Sequence, residues 1–494
     1  MDNSFFPRTW RGKEVETSEE EKKLPLGEYN LIRIERKFEY IISNFIKNIF
    51  NYEKIDVSLI KNEPQSINRT QYFNGKLISE NGHTKYKFAT QLFNNQFYEF
   101  TVSNIPATTE SRHIQIFFRV LMQYLGYFYQ SIQDSLPVEK GILKASPSFV
   151  AKSEIWLYNI ERTIITEYIY NLFNTFNENY SNEFKLAPNP NRYNLDLVNK
   201  IIDFAYELST KKIENKEIYC GFIFHDNTND VISNSVTSIE LKKQFDFGDF
   251  GQLKNYLEIS NGQNIFFNVS NDKVTHIFIT REKVNEIFLN PLSNSKTFQK
   301  RPLILSIQGV GKIHFLEGRT DNNKTILQIV NSKPIIRDNN FIRKFIFDVL
   351  KKYAIISENQ IEVFSKWVMS LSQKKHGTSL IFKEIKELDE KKLVKTVAVT
   401  FENSNFLNQE NLRHDISLLD SIINPDGAVI FGKDLIPTHI STILPIGQLT
   451  IGSSGGARHN SVSNFTKKFH CIGFVISEDG PITIFKNGNK LIKF

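Results

Sequence analysis

The sequence predicts an α/β protein: a C-terminal mixed β-sheet flanked by helices, preceded by a helix-rich N-terminal region and a middle region that is α/β or mainly β. Three observations carry this expectation. Apolar residues recur at helical spacing early in the chain, at Leu31, Ile34, Phe38, Ile41, Ile42, Phe45 and Ile49, and again at Ile114, Phe117, Phe118, Leu121, Leu125 and Phe128. Short apolar runs bounded by turn residues dominate from Ile218 to Val330. Beyond Gly377, strand-like and helix-like segments alternate, the pattern of a sheet covered on both faces.

Taken in order, residues 1–25 are polar and charged, with the run Glu19 to Lys23, and read as a loosely ordered lead-in. A helix follows over 30–50. Between 55 and 105 the period drops to two. Tyr86, Phe88 and Thr90, then Phe97, Tyr98, Phe100 and Val102, predict strands around the turns Asn74-Gly75 and Asn81-Gly82. Helices are expected over 110–133 and 153–178. Their aromatic stripes are read as core, because such stripes more often fill an interior than hold a cofactor.

The breaker Leu186-Ala187-Pro188-Asn189-Pro190-Asn191 marks the first boundary, and a helix over 194–210 follows it. Strands are expected at 218–225, 264–269, 274–280, 303–308 and 325–330. Gly309-Val310-Gly311 is read as a hairpin turn, since it lacks the third glycine and following helix of a dinucleotide fingerprint. Helices are expected within 340–374, with Ser357 as an N-cap. The last portion should hold strands at 378–382, 395–400, 427–431, 435–443, 471–476 and 481–485. Helices are expected there over 410–423 and, short, after Asn460. The expected domains are 1–190, helix-rich and sensory or regulatory; 191–338, α/β; and 339–494, catalytic with lead-in helices.

A chain of 494 residues with 40% hydrophobic residues buries a sizeable core and is not disordered. Its net charge of +7 is too mild for a dedicated nucleic-acid binder, and there is no basic stripe interleaved with aromatics, so nucleic acid is not expected as the primary partner. The 2 cysteines, Cys220 and Cys471, exclude a disulfide framework and lie in apolar runs. They read as buried, reduced thiols of a cytoplasmic protein. The N-terminus lacks the basic start and apolar core of a signal peptide, and no apolar run is long enough for a membrane span.

The chemistry gathers near the C-terminus. Asp426-Gly427-Ala428 sets a carboxylate beside two minimal side chains, which allows close approach to a metal or a ribose hydroxyl. Gly455-Gly456-Ala457-Arg458-His459 is a small-residue turn that opens a helix and offers backbone N–H groups and cations to phosphate. Ser477-Glu478-Asp479 follows a strand, where acidic residues are placed to hold a divalent ion.

The order and spacing of these three motifs resemble the diadenylate cyclase (DAC) domain, which joins two ATP molecules into cyclic di-AMP. His376-Gly377-Thr378-Ser379-Leu380-Ile381-Phe382 is similar to the first strand of such domains in multidomain members. The resemblance covers roughly the last quarter of the chain and implies paired nucleotidyl transfer. Each 3′-hydroxyl attacks the α-phosphorus of the other ATP, and two pyrophosphates leave. It implies a face-to-face pair of domains, a divalent metal (Mg2+ or Mn2+), and control by the N-terminal region.

By the same resemblance Asp426, Arg458 and His459 are catalytic. Gly427, Ala428, Leu444, Gly455, Gly456, Ala457, Arg458 and Ser477 bind substrate, and Asp426, Glu478 and Asp479 hold the metal. Ala457 and Asn460 stand where the common family pattern has threonine and a second arginine. The alternative expectation is therefore a nucleotide-binding sensor on the same fold with weak or no turnover.

Overall fold

The computed structural model describes residue 39 and residues 42–52, 54–62, 76–81, 83–92, 96–109, 111–135, 138–139, 142–143, 163–172, 195–213, 216–225, 237–254, 256–279, 303–309, 312–317, 324–330, 333–372, 377–384, 396–400, 406–407, 412–444, 456–478 and 480–494. The breaker at 186–191, the turn Asn74-Gly75, His376, Gly455 and Asp479 lie outside the described residues. The chain divides into two compact units, 1–211 with 326–338, and 212–325 with 339–494.

In the first unit the helical stripe near the N-terminus appears as a helix over 42–50 that buries Ile42, Phe45, Ile46 and Ile49. The period-two segments form a four-stranded sheet in the order Asp56–Asn62, Gln96–Ser103, His83–Leu92 and Lys76–Glu80. Glu80 pairs with His83 across a two-residue loop, and Asn81 takes φ of 51° there, as an Asn-Gly hairpin requires. The helix Arg112–Ser135 packs on this sheet, with the Phe118 ring stacked at 4.6 Å on Tyr86. At the end of the unit, buried Asp338 accepts hydrogen bonds from the Thr108 N–H (2.8 Å) and the Ser111 hydroxyl.

Among the described residues the second unit contains two larger sheets, besides the two-stranded pairing of Lys212–Ile213 with Lys216–Glu217. In the first, strands run in the order Thr237–Asp246, Lys273–Ile279, Ile265–Ser270, Tyr219–Phe224, Leu303–Gln308 and Lys312–Glu317. All neighbours are antiparallel except Tyr219–Phe224 with Ile265–Ser270. Gly309, at φ of 98°, begins the hairpin between the last two strands, as its turn chemistry implies. The strand Thr237–Asp246 was not anticipated. It is an edge strand with nearly every side chain exposed, so it carries no apolar alternation.

The second sheet is the C-terminal portion, whose elements are numbered from its start. Helices α1 (Asn339–Lys351) and α2 (Glu358–Leu371) lead into β1 (Thr378–Phe382) and β2 (Val397–Ala398). Then come α3 (Leu412–Ile422), β3 (Ala428–Phe431), β4 (Pro437–Thr442), α4 (Ala457–Phe469), β5 (Ile472–Ile476), β6 (Ile482–Lys486) and β7 (Asn489–Lys493).

Ser357 caps α2 in a reciprocal box with Gln360. The seven-stranded sheet runs β2-β4-β3-β1-β5-β6-β7, with β1 and β3 parallel and the other neighbours antiparallel. It is the mixed sheet the sequence predicts.

Strand alternation divides the core between its faces. Phe382 and Phe431 meet Phe364 of α2, with ring centroids 5.9 and 5.2 Å away. On the other face Ile381, Ile430 and Val475 cluster with Val462, Phe465 and Phe469 of α4. Cys220 and Cys471 are buried free thiols, and burial pushes Cys471 up to about 12. No helix among the described residues is long and apolar enough to cross a membrane.

Candidate functional site

A row of registered residues crosses the α4 face of the sheet: Thr442, Ala428, Ser379, Val475 and Thr483. Small side chains in this row leave a cleft of about 620 Å³ at the first turn of α4. Asp426, Gly427, Ala428, Leu444, Gly456, Ala457, Arg458, His459, Ser477 and Glu478 all line it, so the three motifs meet in one place. Ser379, Thr442, Ile443 and Val475 line it as well and were not anticipated as site residues; Ser461, at the end of the glycine-rich turn, also lines it. Their only sequence signal is position on the right face of a strand or next to a motif.

Asp426 sits just before β3, is exposed, and accepts a hydrogen bond from the Gly427 N–H at 3.0 Å. Gly427 takes φ of 113°. A Cβ there would lie 2.7 Å from the carbonyl carbon of Ser441, so β3 and β4 approach closely only because this residue has no side chain. Leu444, 6% exposed, belongs to the apolar cluster under α4 and closes the cleft beyond Ala428.

The helix of the Arg-His motif begins earlier than expected, at Ala457 rather than after Asn460. Gly456, in extended backbone, is the N-cap. Ser461 lies inside the helix and donates to the Ala457 carbonyl at 3.0 Å. Ser463 donates to the Gly488 carbonyl at 2.7 Å. A helix that starts at Ala457 has Arg458 and His459 in its first turn. There the backbone N–H groups have no partner within the helix, and the helix dipole is positive. Gly456 supplies no side-chain cap, which leaves this end open to an anion.

The two basic residues of the motif point differently. His459 sets its Nε2 3.1 Å from the Thr483 hydroxyl, with its ring edge-on to Phe485, which holds it against the sheet. Arg458 reaches toward Glu478, with 4.0 Å between Nη1 and Oε1. Both side chains remain solvent-accessible, so this pair is weak and separable.

Gly377 lies beneath them. A Cβ on it would collide with Arg458 Nη1 and fall 3.0 Å from Glu478 Cγ. Gly377→Ala is therefore expected to displace the Arg458 side chain without unfolding the domain. A charge-assisted phosphate contact is worth roughly tenfold or more in affinity. Binding of inorganic triphosphate, measured by calorimetry, should fall about as far as in Arg458→Ala, with the melting temperature nearly unchanged.

No group of three or more His, Cys, Asp or Glu side chains able to hold a metal occurs among the described residues. Asp426 and Glu478 still bring two oxygen donors to one cleft. That donor set fits an ion of the Mg2+ type, which takes one or two carboxylates and completes its shell with phosphate oxygens and water.

Residues 366–490 match the model of the DAC family, described as DisA bacterial checkpoint controller nucleotide-binding. No curated protein matches the chain. Among solved structures, a double mutant of DacA from Staphylococcus aureus is similar at 20% identity, over 28% of this chain and 87% of that one, with a TM-score of 0.22. A hypothetical membrane spanning protein from Bacillus cereus is similar at 21% identity, over 31% of this chain and 72% of that one, with a TM-score of 0.24.

Proposed function

We propose, from the DAC domain that residues 366–490 form, that the chain is a diadenylate cyclase condensing two ATP into cyclic di-AMP and two pyrophosphates. The observation that supports it most is the convergence of Asp426, the open first turn of α4 and Glu478 on one cleft.

In this reading the α4 N–H groups and Arg458 take the phosphates. His459, braced by Thr483, steadies that turn against the sheet and supports the phosphate. Leu444 and Ala428 pack on the base, and Ser477 lies at the phosphate end. Asp426 orients the 3′-hydroxyl and favours loss of its proton. A divalent ion, Mg2+ or Mn2+, held by Asp426 and Glu478, and by Asp479 outside the described residues, supplies neutralisation of phosphate charge when bound.

One cleft holds one ATP, and the attacked phosphorus belongs to another. Two DAC domains must therefore meet face to face, with a two-fold relation that makes the two attacks equivalent. The N-terminal region would control that encounter. Buried free thiols fit a cytoplasmic setting.

The test is incubation of the full chain with ATP and Mg2+ or Mn2+, with chromatographic separation of products. One cyclic dinucleotide and two pyrophosphates per two ATP are expected. ATP binding without product under either metal would make the chain a sensor, in line with Ala457 and Asn460. Absence of ATP binding would overturn both readings.

A further inference from the structure

We propose that Thr483 is a positioning residue that acts through His459: its hydroxyl donates to the imidazole Nε2 and so fixes the ring's one hydrogen on Nδ1. The use of that hydrogen for phosphate rests on the nucleotide-binding reading above, and the residue that sets it belongs to none of the three motifs.

Thr483 lies on β6, in the registered row beneath α4, and is fully buried. Its hydroxyl is 3.1 Å from His459 Nε2, and this is the one hydrogen bond its side chain makes among the described residues. The distance alone does not say which atom donates. A threonine hydroxyl has one hydrogen to give, whereas a neutral imidazole has one nitrogen that donates and one that accepts. If Nε2 carried the hydrogen, the hydroxyl would accept it, and its own hydrogen would be left buried without an acceptor. An unmet buried donor is costly. The imidazolium ion, with a hydrogen on both nitrogens, meets the same objection. Only an unprotonated Nε2 satisfies the hydroxyl, and the ring hydrogen is then on Nδ1.

The surroundings hold the pair together. The His459 ring stands edge-on to Phe485, with centroids 6.2 Å apart, and Phe485 is two residues along β6, on the same face as Thr483. His459 lies in the first turn of α4 and lines the cleft. Phosphate oxygens are strong hydrogen-bond acceptors. With Nε2 committed to Thr483, the ring meets a phosphate through Nδ1 alone, and only as a donor. The threonine hydroxyl thus decides whether the imidazole offers its ligand a hydrogen or a lone pair.

The test is long-range proton–nitrogen correlation NMR of the histidine rings in the full chain, recorded above the ordinary imidazole titration range. The His459 signals are identified by their loss in His459→Gln. Wild type is expected to show an unprotonated Nε2 and a protonated Nδ1. Thr483→Ser should keep that signature. Thr483→Val, which removes the hydroxyl and keeps the branched shape, should lose it. Inorganic triphosphate, titrated calorimetrically, should bind Thr483→Val about three- to tenfold more weakly than wild type, the worth of one hydrogen bond, and Thr483→Ser should recover most of that affinity. A hydroxyl with only a structural role would leave the nitrogen signature unchanged in Thr483→Val, and that result overturns the proposal. So does a wild-type His459 with its hydrogen on Nε2, a result that needs no folded Thr483→Val. If the signature changes but triphosphate binds wild type and Thr483→Val equally, the positioning role fails and the nucleotide reading stands. If wild type binds neither triphosphate nor ATP, the nucleotide reading fails and takes the positioning role with it.

Discussion

Asp426→Asn should abolish cyclic dinucleotide formation while leaving ATP affinity within a few-fold of wild type. The substitution is isosteric, and the side chain is exposed. Among the described residues its one hydrogen bond is accepted from the adjacent Gly427 N–H, and an asparagine carbonyl oxygen can accept the same bond. Fold and cleft are thus preserved, and only the charge is removed. In the proposed mechanism that charge is needed where the 3′-hydroxyl loses its proton. An amide is not a base, and its neutral oxygen holds a hard divalent ion more weakly than a carboxylate does. Loss of a positioned base costs about 10²- to 10⁴-fold, and loss of metal support adds to it. Product formation by chromatography, binding by calorimetry and melting temperature by circular dichroism separate the effects. Normal cyclisation by Asp426→Asn would remove that carboxylate from the mechanism.

Much of the C-terminal sheet was legible because its strands are short apolar runs set between strong punctuation. Thr378–Phe382, Ala428–Phe431 and Ile472–Ile476 are almost wholly buried, and a buried central strand announces itself by composition alone. Asn489–Lys493 was not anticipated, since a strand with exposed lysines at a sheet edge resembles a polar tail. The start of α4 was misplaced because asparagine and serine are the usual cap residues, and the tertiary structure used glycine instead.

For the cleft, the three motifs name its polar groups but not its floor. Ser379, Thr442 and Val475 become site residues only when β1, β4 and β5 are brought into register, and pairing between distant strands has no local signal. Gly377 is similar. Its need for a missing side chain comes from Arg458 and Glu478, far along the chain, rather than from a turn of its own.

Gly427→Ala should combine lost turnover with lowered stability, and for one geometric reason. At φ of 113° an L-residue is strained, which costs on the order of 1–3 kcal/mol. The added Cβ would also meet backbone rather than a movable side chain: the Ser441 carbonyl carbon at 2.7 Å and the Thr442 nitrogen at 3.0 Å. Ser441 is itself held at φ of 51°, and the β3–β4 register shifts just beyond, between Ala428 and Ile430. Neither strand can yield without disturbing this irregular pairing.

Relief must come from moving the start of β3 away from β4, which carries Asp426 and Ala428 away from the cleft floor. A displacement near 1 Å at a reacting group costs about 10²-fold in rate. The strain itself should lower the melting temperature by about 2–10 °C. Activity measured well below the transition distinguishes misplacement from unfolding, because the folded fraction is then nearly complete. Turnover and melting temperature both at wild-type values would show that β3 and β4 are not tied at this glycine, and that Asp426 is positioned by something else.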